Sequence, residues 1–186
     1  LRRSVEMQDK VNVFFGSDKV TYYHHNMAGD MPLRERQNLP PMEEVERKRW
    51  GYSVVLDKRQ SEVRDTLCTL AAPDALPALV HCAGGTDRTG LITALILGIA
   101  GVRAETIAQD YGLTARFNLP RYLEAHPEID AASYTWQDLQ GDTCNPDVML
   151  AVLGDLDERH CGVEGYALHA GVSQAEIDSL RDALVE

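Results

Sequence analysis

Hydrophobic and polar positions along the chain change their period near residue 42. Before that point, "VNVFFG" (11–16) and "KVTYYHHNM" (19–27) are rich in β-branched and aromatic residues and bounded by Gly, Ser or Asp, which predicts two short strands. "AGDMPLRERQNLPP" (28–41) carries three prolines and one glycine and reads as loop. From Met42 to Ala71 the spacing becomes helical, with Val45, Val54, Val55, Val63, Leu67 and Leu70 as apolar points and Gly51 as a potential break. "APDALP" (72–77) is a turn, and "ALVH" (78–81) predicts a short buried strand.

Helices dominate the rest. Residues 89–100 are almost wholly apolar and predict an interior helix, with Gly101 suited to the position after its end. "AETIAQDYGL" (104–113) predicts a second helix, and Pro146 opens a third over 146–160. Ser173 followed three residues later by Glu176 is a capping box, so a last helix starts there. Strands first, then helices, with one strand feeding a loop and helix, predict one α/β or α+β domain: a small central sheet flanked by helices.

Composition narrows the function. The 186 residues suit a single domain with a real core, and 44% are hydrophobic. A net charge of −11 disfavours nucleic acid and anionic membranes, so any phosphate would be held by a local positive field. No apolar run reaches the roughly 20 residues of a membrane span. The spacings of Cys68, Cys82, Cys144 and Cys161 give neither a zinc pattern nor a disulfide framework, so no metal is expected and a reducing, cytoplasmic setting is. The first residue is Leu1 rather than methionine, so preceding sequence is expected, and secretion stays open.

The chemistry concentrates in "HCAGGTDRTG", residues 81–90. A strand would deliver Cys82 to a loop whose Gly84 and Gly85 admit conformations closed to other residues. The amides of Ala83, Gly84, Gly85, Thr86, Asp87 and Arg88 can then form an anion-binding nest, extended by the N-terminus of the following helix. That field would hold Cys82 as a thiolate, the nucleophilic form. Arg88, six positions on, can take two phosphoryl oxygens in its planar fork. Thr89 can steady the sulfur as a leaving group, and His81 can orient the loop through backbone hydrogen bonds.

This Cys-x5-Arg-Thr spacing is the signature of protein tyrosine phosphatases, and more narrowly resembles the "HC-x-x-G-K-D-R-T-G" loop of bacterial tyrosine and dual-specificity phosphatases with lipid-phosphatase-like character. "GVRAETIAQDYGLT" (101–114) and "GVEGYALHAGVSQAEIDSLRDALVE" (162–186) are similar to the segments after the loop and at the C-terminus of that family, and "LRRSVE" to its "D-L-R-x-x-x-E" segment. The resemblance implies a tyrosine phosphatase-like fold and hydrolysis of phosphomonoesters through a phosphocysteine, without a cofactor. Phosphorylated protein or peptide would be the substrate, phosphotyrosine first, with phosphoserine, phosphothreonine or phosphoinositide beside it. Thr86 stands where the family usually carries lysine, which removes a charge from the pocket rim and weakens the expectation for phosphoinositides.

A leaving alkoxide or phenolate needs a proton. The resemblance implies that Asp87 supplies it. Asp30, in "AGDMP", is the alternative, like the acid-bearing mobile loop of ordinary tyrosine phosphatases; Asp57 is a third. Residues 42–71 can be an insertion or a lid, with Arg47, Lys48 and Arg49 recruiting anionic substrate. Two other readings of the loop stay open: a phosphate-binding module without turnover, and a sulfur transferase or arsenate reductase using the same cysteine loop. Tyr111 and Arg116 read as packing and helix-end residues, and the remaining cysteines as filler.

Overall fold

The computed structural model describes residues 18–28 and 41–185. Among them the regular elements are helices: α1 Glu44–Lys58, α2 Gln60–Ala71, α3 Asp87–Ile99, α4 Ala104–Ala125, α5 Trp136–Thr143, α6 Pro146–His160, α7 Val163–Ala170 and α8 Gln174–Leu184.

The expected α/β arrangement with a central sheet is therefore corrected: no strand occurs among the described residues. Residues 78–81 are irregular rather than a strand, and Leu79 is 76% exposed. Residues 19–27 are irregular too, ending in a turn in which the Met27 N–H donates to the His25 carbonyl. The reason is that a β-favouring run states a fit to a half-buried pleated surface, not a backbone preference of its own. A strand exists only through ladder bonds to a neighbour, and no described segment offers one. The expected strand at 11–16 lies outside the described residues.

Helix α3 takes the central place. Apolar on nearly every side, it packs against α2, α4, α7 and α8 and buries Leu91, Ile92, Ala94, Leu95 and Ile99. Truncating Leu95 to alanine would cost about 2–5 kcal/mol. Gly98 lets α7 approach: a Cβ there would meet Cγ2 of Val163 at 2.7 Å. Helix α4 joins α3 to α5 and α6, and α1 lies along α6. Tyr166 of α7, fully buried, donates to the Leu56 carbonyl at 2.8 Å and so ties the C-terminal helices to α1.

The boundaries follow the capping chemistry. Helix α6 opens at Pro146, with the Asn145 side chain accepting from the Asp147 N–H, and α8 opens with the Ser173–Glu176 box. Gly101 follows α3 with φ +82°. The break in 42–71 falls at Arg59, not at Gly51, which is buried inside α1. Helix α4 runs on to Ala125, so Arg116 is interior to it, and Pro120 sits within the helix. Helix α5 starts with a second capping box, Thr135–Asp138.

Candidate active site

Cys82 is 7% exposed and belongs to the core cluster, at the end of the irregular run that leads into α3. Residues 83–86 curl back, so that the Gly85 N–H donates to the Cys82 sulfur at 3.2 Å. The curl needs φ +74° at Gly85, a conformation glycine adopts without a Cβ penalty. Gly84 has no positive φ, and a Cβ there would meet only the Thr86 hydroxyl at 4.0 Å. His81 Nδ1–H donates to the Cys82 carbonyl at 3.2 Å.

Helix α3 starts at Asp87 with Thr86 as its N-cap, and no side chain caps it. Thr86 accepts instead from Asn118 Nδ2 of α4 at 3.4 Å, and its carbonyl takes the Gly90 N–H at 2.8 Å. Asp87, Arg88 and Thr89 thus occupy the first turn, where helix N–H groups have no intrahelical acceptor.

Several influences compete at the thiol. Burial by itself raises its pKa, because a thiolate is poorly solvated in the core. The Thr89 side chain and backbone, the Gly85 N–H and the Arg88 charge oppose this, and the net pKa lies below the ordinary thiol value. The Thr89 hydroxyl is buried and makes no hydrogen bond of ordinary geometry, so its effect on the sulfur is one of proximity.

Asp87 has a partner that sequence reasoning missed. Tyr52 of α1 donates its hydroxyl proton to Asp87 Oδ1 at 2.5 Å, and the hydroxyls of Tyr52 and Tyr111 lie 2.7 Å apart. Since Tyr52 spends its proton on Asp87, Tyr111 is the donor to Tyr52. Burial, then the neighbouring Tyr111 and Asp87, raise the Tyr52 pKa far above the phenol range. Nothing in "RWGYSVV" separates Tyr52 from a core aromatic, and its role appears only where α1, α3 and α4 converge.

Asp57, Lys48 and Arg49 are engaged away from Cys82. Asp30 is outside the described residues. Asp57 forms an ion pair with Arg159 of α6 at 2.7 Å. Lys48 donates to the Asp142 and Thr143 carbonyls at the end of α5, at 2.9 and 2.6 Å, and Arg49 pairs with Asp155 of α6. These two cations thus fasten α1 to α5 and α6. The four cysteines are all free thiols. No helix among the described residues is long and apolar enough to cross a membrane.

Comparison with known proteins agrees with the family that the sequence resembles. A tyrosine-protein phosphatase of Nostoc commune is 29% identical over 137 residues, covering 70% of this chain and 47% of the relative. The triple specificity protein phosphatase PtpB of Mycobacterium tuberculosis is 28% identical over 124 residues, covering 59% of this chain and 44% of the relative. The chain spans about half the length of these curated relatives. The tyrosine phosphatase family matches residues 1–186, and this chain belongs to that family.

Proposed function

We propose that this chain hydrolyses phosphomonoesters through a phosphocysteine, with phosphotyrosine in proteins or peptides as its first substrate. The observation that carries the reading is the Gly85 N–H turned onto the buried Cys82 sulfur at the uncapped start of α3, where Thr89 and Arg88 also favour the thiolate. Substrate phosphate binds the amides of residues 83–88 and the Arg88 guanidinium. The Cys82 thiolate attacks phosphorus in line; the S–P bond forms as the P–O bond to the leaving group breaks. Asp87 gives its proton to the departing oxygen, then takes one from the water that releases phosphate from sulfur. Thr89 steadies the thiolate that leaves in that second step.

A specificity wider than phosphotyrosine alone is supported by the name of the mycobacterial relative, a triple specificity protein phosphatase. Phosphoinositides rank below phosphopeptides, because Thr86 brings no charge to the rim and its hydroxyl is engaged by Asn118. The test is a panel of phosphopeptides and phosphoinositides assayed with the parent protein and with Cys82→Ser. Turnover by the parent that is lost in the variant is expected. Binding of phosphate without turnover by the parent would replace the reading with a binding module. Undiminished turnover by Cys82→Ser would refute it.

A further inference from the structure

Three helices bring three hydroxyl or carboxyl groups into a row. Tyr52 comes from α1, Asp87 from the first turn of α3 and Tyr111 from α4. Both tyrosines are buried, at 5% and 4% exposure, whereas Asp87 is exposed at the loop. The proton order is set by stoichiometry: Tyr111 O–H to Tyr52 oxygen, Tyr52 O–H to Asp87 Oδ1. Gly90 makes the row possible, since a Cβ there would meet the Tyr111 ring at 2.7 Å. The rings themselves stand edge to face, 6.4 Å between centroids.

We propose that Tyr52, backed by Tyr111, is a positioning residue for the acid: it pins Asp87 Oδ1 so that Oδ2 faces the leaving oxygen, and it stabilises the carboxylate left when the proton departs. This rests on the reading of Asp87 as the proton donor. A carboxyl on a loop-facing first turn would otherwise rotate freely about χ2. One oxygen held by a hydroxyl leaves the other as the single site for the transferable proton. Donation to the carboxylate also strengthens with the charge that develops on Asp87 as the P–O bond breaks, so it acts in the transition state more than in the ground state. Tyr52 is no acid or base in its own right, because burial and its two neighbours keep it a neutral phenol. The titratable groups facing the pair are Asp87 and, beside Tyr111, Cys144.

Leaving-group dependence tests this. With phenyl phosphate, protonation of the leaving oxygen is needed; with 4-nitrophenyl phosphate it matters far less. kcat/KM reports the first step, where the acid works. Asp87→Asn should lose about 10²–10⁴-fold on phenyl phosphate and much less on the nitrophenyl ester. Tyr52→Phe keeps the ring and should show the same pattern at about tenfold, the size of one hydrogen bond to a charged group, with under about twofold loss on the nitrophenyl ester. Equal losses of Tyr52→Phe on both esters, or none, overturn the positioning role while leaving Asp87 as acid. Absence of any leaving-group contrast in Asp87→Asn removes the acid assignment, and the inference with it. Tyr111→Phe supplies the same readout should Tyr52→Phe fail to fold: a smaller contrast of the same sign supports the row, and equal effects on both esters overturn it. On a Tyr52→Phe background, Tyr111→Phe should add nothing to the contrast.

Discussion

The starts of α3 and α8 each lie beside a cysteine, and they treat the sulfur in opposite ways. At α3, the Cys82 thiol receives the Gly85 N–H and feels Thr89 and Arg88, and its pKa falls despite burial. At α8, the Cys68 thiol of α2 meets Glu176; burial first, then hydrogen bonding to that carboxylate and its charge, push the thiol up to about 11. The difference lies in what the sequence puts on the helix end. Ser173 and Glu176 close α8 with a reciprocal box that satisfies the Ser173 and Glu176 N–H groups and puts a carboxylate at the helix start. Thr86 leaves α3 without a side-chain cap. Helices α1, α2, α4 and α7 also lack side-chain caps, so an uncapped start alone does not make a site. What sets α3 apart is a glycine with positive φ that turns an amide onto sulfur, and a cation in the first turn.

The largest way to break this contrast is to remove the favoured sulfur. Cys82→Ser should lower kcat on an aryl phosphate at least about a thousandfold, while Cys68→Ser leaves kcat unchanged. The contrast sharpens in a pH series of alkylation. In a protein with Cys144 and Cys161 replaced by serine, the Cys82 midpoint is expected below the usual thiol value of about 8.5, and that of Cys68 near 11. The signs for stability are opposite. The Cys82 contribution is present above the unfolded thiol pKa and lost as pH falls through its folded value. That of Cys68 is present below the unfolded pKa and lost as pH rises toward about 11. Coincident midpoints would undo the comparison.

Smaller effects probe each helix end in turn. Gly85→Ala forces a side chain into a left-handed backbone and should cost about 1–2 kcal/mol in denaturant unfolding, together with a fall in kcat/KM as its amide leaves the sulfur. Glu176→Gln keeps the capping box through its amide oxygen and should lower the Cys68 alkylation midpoint with little change in unfolding free energy, the Cys82 midpoint staying unmoved. Gly84→Ala is the smallest: with ordinary φ and no contact closer than 4.0 Å for a Cβ, it should leave the melting temperature within error.

Local chemistry was readable where one residue satisfies another a few positions away. The Ser173–Glu176 box, Pro146 at the start of α6 and Gly101 after α3 were all legible because each acts within a turn of its own backbone. The Thr135–Asp138 box obeys the same rule with aspartate at the third position, and it marks α5, which the apolar period alone did not reveal. The expected strand at 78–81 had the right residue types, but its existence depended on a pairing partner that the local run does not contain. The row that joins Tyr52 and Tyr111 to Asp87 was invisible in the sequence for a similar reason. Their hydroxyls meet across 59 positions of sequence, and buried tyrosines carry no spacing that announces a partner.

The sequence by itself therefore determined the loop that carries the proposed nucleophile, its arginine and the helix that follows, since Gly85, Arg88 and Thr89 all act on Cys82 across a single loop and turn. Tertiary structure alone decided the rest. It made α3 the centre of a helical packing, where a sheet was expected, and it brought the Tyr52 hydroxyl of α1 to both Asp87 and the Tyr111 hydroxyl of α4. Short-range hydrogen bonding is encoded in neighbours along the chain, whereas ladder pairing and side-chain rows depend on which distant segments pack together.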